Sequence, residues 1–367
     1  MSMRTFIGIL CAFALSVAES KPVRIIFDTD MLNDWDDVGA LACLHALADA
    51  GECEILATVS CTRGNASVAA IEVINGYYGR SGLPVGCAKG IGVMGATVGV
   101  NVKIDPNAPV EKKDDHYICH YKYRKLAHDY PQWVRHLDSD DAPDANGVYR
   151  KILAESPDQS VVICSTGFLT NMRRLLETGP DDFSPLDGKS LVARKVVRWV
   201  AMACKYPYGE ECNSRWDWES SKIALENWPT EVVFSDFDYG FDVYAGRAIM
   251  EQPGPRNPVK DIFVGSTPTR EQILADPVRH FRNCFGVGGR SAWDETAVLV
   301  AVRGAERYCN VTRGTFRMVG DKGDDEWVPD SENGRHLRIT EKTSKREVAA
   351  VIEELMCRPP RASKGGR

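Results

Sequence analysis

The stretch FDTDMLNDWDDVGAL, residues 27–41, sets five aspartates (Asp28, Asp30, Asp34, Asp36 and Asp37) within ten positions. VRII precedes it with a buried-strand pattern, and an apolar helix pattern follows. Carboxylates this close raise one another's pKa unless a cation is present. Either the turn is a solvated acidic loop or something positive sits on it. Three further segments end an apolar run, or open a helix, with polar residues: SCTRGN (60–65), CSTGFLTN (164–171) and SAWDETA (291–297). Converging on one rim, they would offer carboxylates, backbone carbonyls and amides, hard oxygen donors that suit Ca²⁺ or Mg²⁺. The aspartate spacing lacks the glycine of an EF-hand loop, so such a ligand set would be assembled from distant parts of the chain.

The elements that must position these residues follow from the hydrophobic periodicity. After VRIIFD come a helix over about 37–50, the strand EILATVS and a helix over about 66–78. Alternation resumes near 148 with a helix, the strand SVVICSTG, a helix through NMRRLLE, the strand VVRWVAM, a helix through SSKIALEN and the strand EVVFSD. A glycine- and proline-rich region at 252–268 reads as irregular, a helix follows Trp293, and FRMVG, HLRIT and the amphipathic KREVAAVIEELM close the chain. Alternation of this kind predicts an α/β fold, an open, mainly parallel sheet flanked by helices. It predicts a single domain over 21–358 with a polar inserted segment at about 90–144. Ligands of such sheets bind where strands run out into loops, which is where the aspartates fall.

Bulk properties narrow the class. A net charge of −6 and a pI near 5.7 exclude nucleic acid as a bulk electrostatic partner. Residues 1–20 carry Arg4, thirteen nearly all apolar residues from Phe6 to Ala18, and small residues at Ser16 and Ala18, the pattern of a signal peptide. The expectation is a secreted or periplasmic protein with no membrane attachment after cleavage and a basic tail at 359–367. Homo-oligomerisation is left open. Twelve cysteines without C-x-x-C spacing do not form a zinc framework.

DTD with DD after the first strand, GN after the second, STGFLTN in mid-chain and WDETA near the end resemble the inosine–uridine-preferring nucleoside hydrolase family. GEECNSRWD, with Asp217 trailing ECN, is similar to that family's EFN segment. The resemblance covers roughly 23–305. It implies an open α/β sheet with Ca²⁺ at the strand ends and hydrolysis of the N-glycosidic bond of ribonucleosides. It further implies that Asp30, Asp37, Asp294 and the carbonyl of Thr166 hold the ion. Asp36 and Asn65 would bind the ribose or the attacking water, Glu211 and Asn213 the ribose hydroxyls, and Asp30 would be the base.

The chain departs from the family in three places. MLNDW stands where the family has a shorter PGx, which makes Asp34 a candidate ligand in its own right, while Asp28 is expected to orient the loop. Trp293 stands where relatives acting on purine nucleosides commonly carry a histidine; it cannot usefully donate a proton but can stack on a base. His116 and His120 lie in the insert, with Tyr117, Tyr121 and Tyr123, which could line a base pocket. Two other functions fit parts of the sequence. One is a non-catalytic exported ribose- or nucleoside-binding protein on the same scaffold. The other is a haloacid-dehalogenase-like phosphatase with Asp28 as nucleophile, Asp30 as acid/base and Mg²⁺, because FDTD and the later STG loosely resemble its first two motifs. Sequons occur at Asn65 and Asn310.

Overall fold

A computed structural model describes residues 21–31, 34–94 and 118–361. The leader, His116, Tyr117 and the side chains of His120 and Tyr121 lie outside the described residues.

Strand β1 (Val23–Thr29) and strand β2 (Cys53–Ser60) are runs of β-branched and apolar residues buried on both faces, as strands inside a parallel sheet must be. Helix α1 (Asp36–Asp49) connects them and is buried almost along its whole length. The principal sheet has ten strands. Seven are parallel, in the order Val85–Cys87, β2, β1, Val161–Thr166, Val196–Ala201, Glu231–Phe234 and His336–Glu341. Cys309–Val319, Asp324–Pro329 and Tyr208–Gly209 extend the far edge as antiparallel strands. From β1 the chain winds outward to β2 on one side and later to Val161–Thr166 on the other. The strand order therefore reverses between β1 and Val161–Thr166, and a crevice opens at their carboxyl ends.

Two apolar layers cover the sheet. One is built on α1, helix α2 (Ser67–Tyr77), the helix Trp293–Arg303 and the terminal helix Lys345–Met356; the other holds Tyr149, Leu153, Trp199, Trp228 and Phe316. The α/β fold expected from the alternation is the one observed.

Two local readings need correction. The region 252–268 contains the helix Pro258–Ser266. Pro258 sits in its first turn, where the missing N–H costs nothing, and Asn257 caps it by accepting from Val259 N (2.9 Å). The stretch 118–144 is not merely a polar insert either. It forms the helix Ile118–Asp129, whose Tyr123, Leu126 and Ala127 are buried in the core, and a 3₁₀ turn, Ser139–Asp141, whose Ser139 is buried. Tyr130, just beyond that helix, donates to Asp261 Oδ2 (2.6 Å).

Candidate functional site

Asp30 follows β1, Asp36 and Asp37 open α1, Thr166 ends its strand, and Asp294 lies in the first turn of Trp293–Arg303. These positions meet at the crevice. Neither helix has a side-chain cap at its N-terminus, so the positive ends of two helix dipoles face the carboxylates. Gly167 permits the close approach of the strands: a Cβ there would lie 2.6 Å from Asp30 N and 2.7 Å from Cys61 Sγ. Met31 takes a left-handed conformation (φ 40°) as the chain turns away from Asp30.

The carboxylates form two overlapping groups, Asp30–Asp34–Asp37 and Asp36–Asp37–Asp294, each with one oxygen per residue inside 4.8 Å. Asp37 is fully buried; Thr29 Oγ1 donates to its Oδ1, and Thr166 Oγ1 lies 3.4 Å from the same oxygen. Among the described residues its Oδ2 has no hydrogen-bond partner. Burial pushes the Asp37 carboxyl up to about 7, with the neighbouring Asp34 charge adding to the effect. Burial, then the other carboxylates, raise Asp294 well above the usual range, and burial followed by Asp34 does the same for Asp36. A buried acidic knot with an orphaned oxygen and only oxygen donors fits a hard divalent cation.

The adjoining cavity, about 210 Å³, far exceeds the roughly 10–15 Å³ that on the same kind of measure admits one water. Asp30, Asp36, Thr166, Glu211, Asn213, Trp293 and Asp294 all line it. Glu211 accepts from Asn213 N (2.8 Å), Ser214 N (2.9 Å) and Cys204 N (3.1 Å), so its carboxylate also ties down its own loop. Asn213 Nδ2 donates to Met202 O (3.0 Å). Trp293 stacks on Phe237 (5.2 Å between centroids) and donates from Nε1 to Phe237 O (2.8 Å), so it is both a packed side chain and cavity wall.

Asn65 is not brought into the cavity lining. Its Nδ2 donates to Thr62 Oγ1 (2.9 Å), its Oδ1 accepts from Ser67 Oγ and Ser139 Oγ (both 2.8 Å), and Thr62 Oγ1 in turn donates to the carbonyl of Asp30 (2.8 Å). Asn65 supports the loop that carries Asp30, behind the carboxylate cluster. Its burial (4% exposed) also removes it as a glycosylation acceptor in the folded chain. Asp28 is 1% exposed and accepts from Tyr149 OH (2.8 Å) and Asn171 Nδ2 (3.1 Å). These bonds anchor it at the end of β1, and it has no access to a substrate, which overturns the phosphatase assignment.

The sequence reading missed Arg290. Its Nη2 donates to Asp34 Oδ2 (2.6 Å) and its Nε lies 3.4 Å from Asp36 Oδ1. Its guanidinium stands over Trp35 (4.6 Å) and near Trp293 (5.5 Å). The one available signal was a lone basic residue four positions before Asp294 in an otherwise acidic motif. Phe168, Met202 and Phe237, which complete the wall, carried no sequence signal beyond apolarity.

Sheet order and site together define an α/β protein with an acidic ligand cavity at its switch point. The family model described as inosine-uridine preferring nucleoside hydrolase matches residues 25–354, and the chain belongs to that family. Among solved structures it is similar to the inosine-uridine preferring nucleoside hydrolase from Bacillus anthracis (14% identity, TM-score 0.59, covering 91% of this chain and 99% of that one). It is also similar to the purine-preferring ribonucleoside hydrolase from Gardnerella vaginalis (15%, 0.60, 91% and 99%). A plant nucleoside hydrolase, PpNRh1, gives 15% identity and a TM-score of 0.58 over 92% of this chain and 100% of its own. At these identities the likeness establishes the fold. No curated protein matches the chain significantly.

Proposed function

We propose that this protein hydrolyses the N-glycosidic bond of ribonucleosides, releasing free base and ribose, with Ca²⁺ as its metal. The observation that carries the reading is the convergence of Asp30, Asp36, Asp294 and Thr166 on a cavity also lined by Glu211, Asn213 and the aromatic pair Trp293–Phe237, with the buried Asp37 carboxylate grouped behind them. Asp30, Asp37, Asp294 and the Thr166 carbonyl would hold the ion. When bound, Ca²⁺ supplies positive charge that cancels carboxylate repulsion and polarises oxygens within its reach.

The chain's own residues do the rest. Asp36, Asn213 and Glu211 accept from or donate to the ribose hydroxyls; a carboxylate oxygen takes more than one donor, so Glu211 can serve both its loop and a substrate. Asp30 takes a proton from the attacking water. The water oxygen bonds to the anomeric carbon while the C–N bond breaks and its electron pair leaves with the base. Positive charge that develops on the ribosyl ring is opposed by the surrounding carboxylates. Trp293 and Phe237 offer the base an apolar face.

A screen of ribonucleosides for free base and reducing sugar, with and without Ca²⁺, tests the reading. Release that depends on Ca²⁺ and is lost in Asp30→Asn supports it. A second reading, ribose or nucleoside binding without turnover, is favoured by one observation: Trp293 commits its indole N–H to Phe237 and can donate no proton to a leaving base. Thermal stabilisation by nucleosides without base release would select it. Export of the mature chain is part of the proposal and is tested by N-terminal sequencing of protein recovered outside the cytoplasm.

A further inference from the structure

The two carboxylate groups share Asp37 and together gather five aspartates, four of them buried, more negative charge than one divalent ion offsets. Arg290 separates them. Its guanidinium takes Asp34 from the first group (2.6 Å) and reaches Asp36 of the second (3.4 Å). The fork is fixed in place: its side chain is 11% exposed, Trp35, Trp293 and Phe285 stand within 4.6–5.8 Å of it, and its backbone pairs with Ala245 in a small antiparallel sheet. Setting aside Arg290's partners leaves Asp30, Asp37 and Asp294, beside the Thr166 strand end. Asp37 Oδ2, fully buried and without a hydrogen-bond partner among the described residues, marks that remainder as the place where positive charge is missing.

We propose that Arg290 is a positioning residue that holds Asp34 and Asp36 out of the metal shell, so that one ion binds through Asp30, Asp37 and Asp294 and Asp36 is kept for substrate. This rests on the metal assignment above and adds a resident cation to it. The cluster is thus served by two positive charges, one exchangeable and one built in, and the built-in one limits both affinity and stoichiometry. A guanidinium suits the task because its planar fork engages two carboxylates in fixed directions and stays charged when buried.

The test is calorimetric titration of Ca²⁺ into metal-stripped wild-type, R290Q and R290Q/D34N proteins, with folding checked by circular dichroism. Wild type should bind one ion. R290Q, which removes a positive charge a few ångströms from the site, should bind Ca²⁺ about tenfold more tightly or take up a second ion. The double variant removes one charge of each sign, Arg290 with its closer partner Asp34, and should return to within about threefold of wild type with one ion. Unchanged or weaker binding in R290Q, with one ion in wild type, overturns the inference while the metal assignment stands. A double variant weakened more than about tenfold makes Asp34 a metal ligand and overturns it too, even if R290Q alone does not fold. Wild-type protein that takes up no Ca²⁺ sinks the metal assignment and the inference with it.

Discussion

Thr29 and Thr166 lie directly opposite one another on adjacent parallel strands, and both direct their hydroxyls at the same oxygen of Asp37. The register of β1 against Val161–Thr166 thereby fixes one carboxylate oxygen and leaves the other pointing away without a partner. Preorganisation of this kind makes Asp37 the residue on which metal uptake and stability should turn.

Asp37→Asn should therefore abolish Ca²⁺ stabilisation. In wild type, Ca²⁺ at about 100 times its Kd should add about 2.7 kcal/mol, read as a rise in Tm. In the variant the rise should vanish. A variant that keeps the full shift would remove Asp37 from the ligand set.

Ribonucleosides should outperform their 2′-deoxy counterparts by about 10⁴ in kcat/KM, because polar groups built to meet a hydroxyl are left unpaired when it is missing. Asp36, Asn213 and Glu211 all line the cavity and are the groups proposed to meet that diol. Equal rates on uridine and 2′-deoxyuridine would refute the assignment.

Trp293 bears on how the base leaves. A general acid typically contributes about 10²–10⁴-fold, and the indole N–H is held by Phe237 O. Nitrophenyl ribosides should accordingly be turned over faster than inosine. Trp293→Phe should keep the aromatic face, whereas Trp293→Ala should cost about 3–5 kcal/mol of stability through the lost packing. Rates plotted against leaving-group pKa, in wild type and in a His116→Ala/His120→Ala variant, identify the proton source. A flat plot that steepens in the double variant would assign it to those histidines.

His45 supplies a pH signature distant from the carboxylates. It is completely buried; Asn75 Nδ2 donates to Thr58 Oγ1 (2.8 Å), which leaves Asn75 Oδ1 to accept from His45 Nε2 (2.9 Å). Burial, reinforced by Arg80, lowers its pKa from 6.5 to about 3. Between those values the unfolded chain holds a proton that the folded chain does not, so this residue's contribution to stability falls as pH drops from about 6.5 toward 3. The slope is at most about 1.4 kcal/mol per pH unit. His45→Gln should shrink the Tm difference between pH 7 and pH 4.5; an unchanged difference would place the acid sensitivity elsewhere.

Much of this molecule is written locally. The alternation of period-two and period-3.6 patterns determined the parallel sheet, because each strand and helix must bury its own apolar face. The acidic and polar segments at strand ends determined that a ligand rim existed, and the carboxylates of DTD, DD and WDETA were identifiable by residue type alone. Other features depended on which backbones approach. Arg290 and Asp36 are 254 positions apart and meet only because the helix Trp293–Arg303, just after Arg290, packs against α1. Asn65 in GN was expected to bind the ribose or the attacking water, whereas in the fold Ser139, from a stretch read as a polar insert, donates to its Oδ1 and it does not line the cavity. The glycine- and proline-rich region at 252–268 read as irregular, yet Pro258 starts a helix there, capped by Asn257. Sequence determines what each residue is able to donate or accept; only the packed chain decides which partner reaches it first, since hydrogen bonds and ion pairs act over a few ångströms and not along the chain.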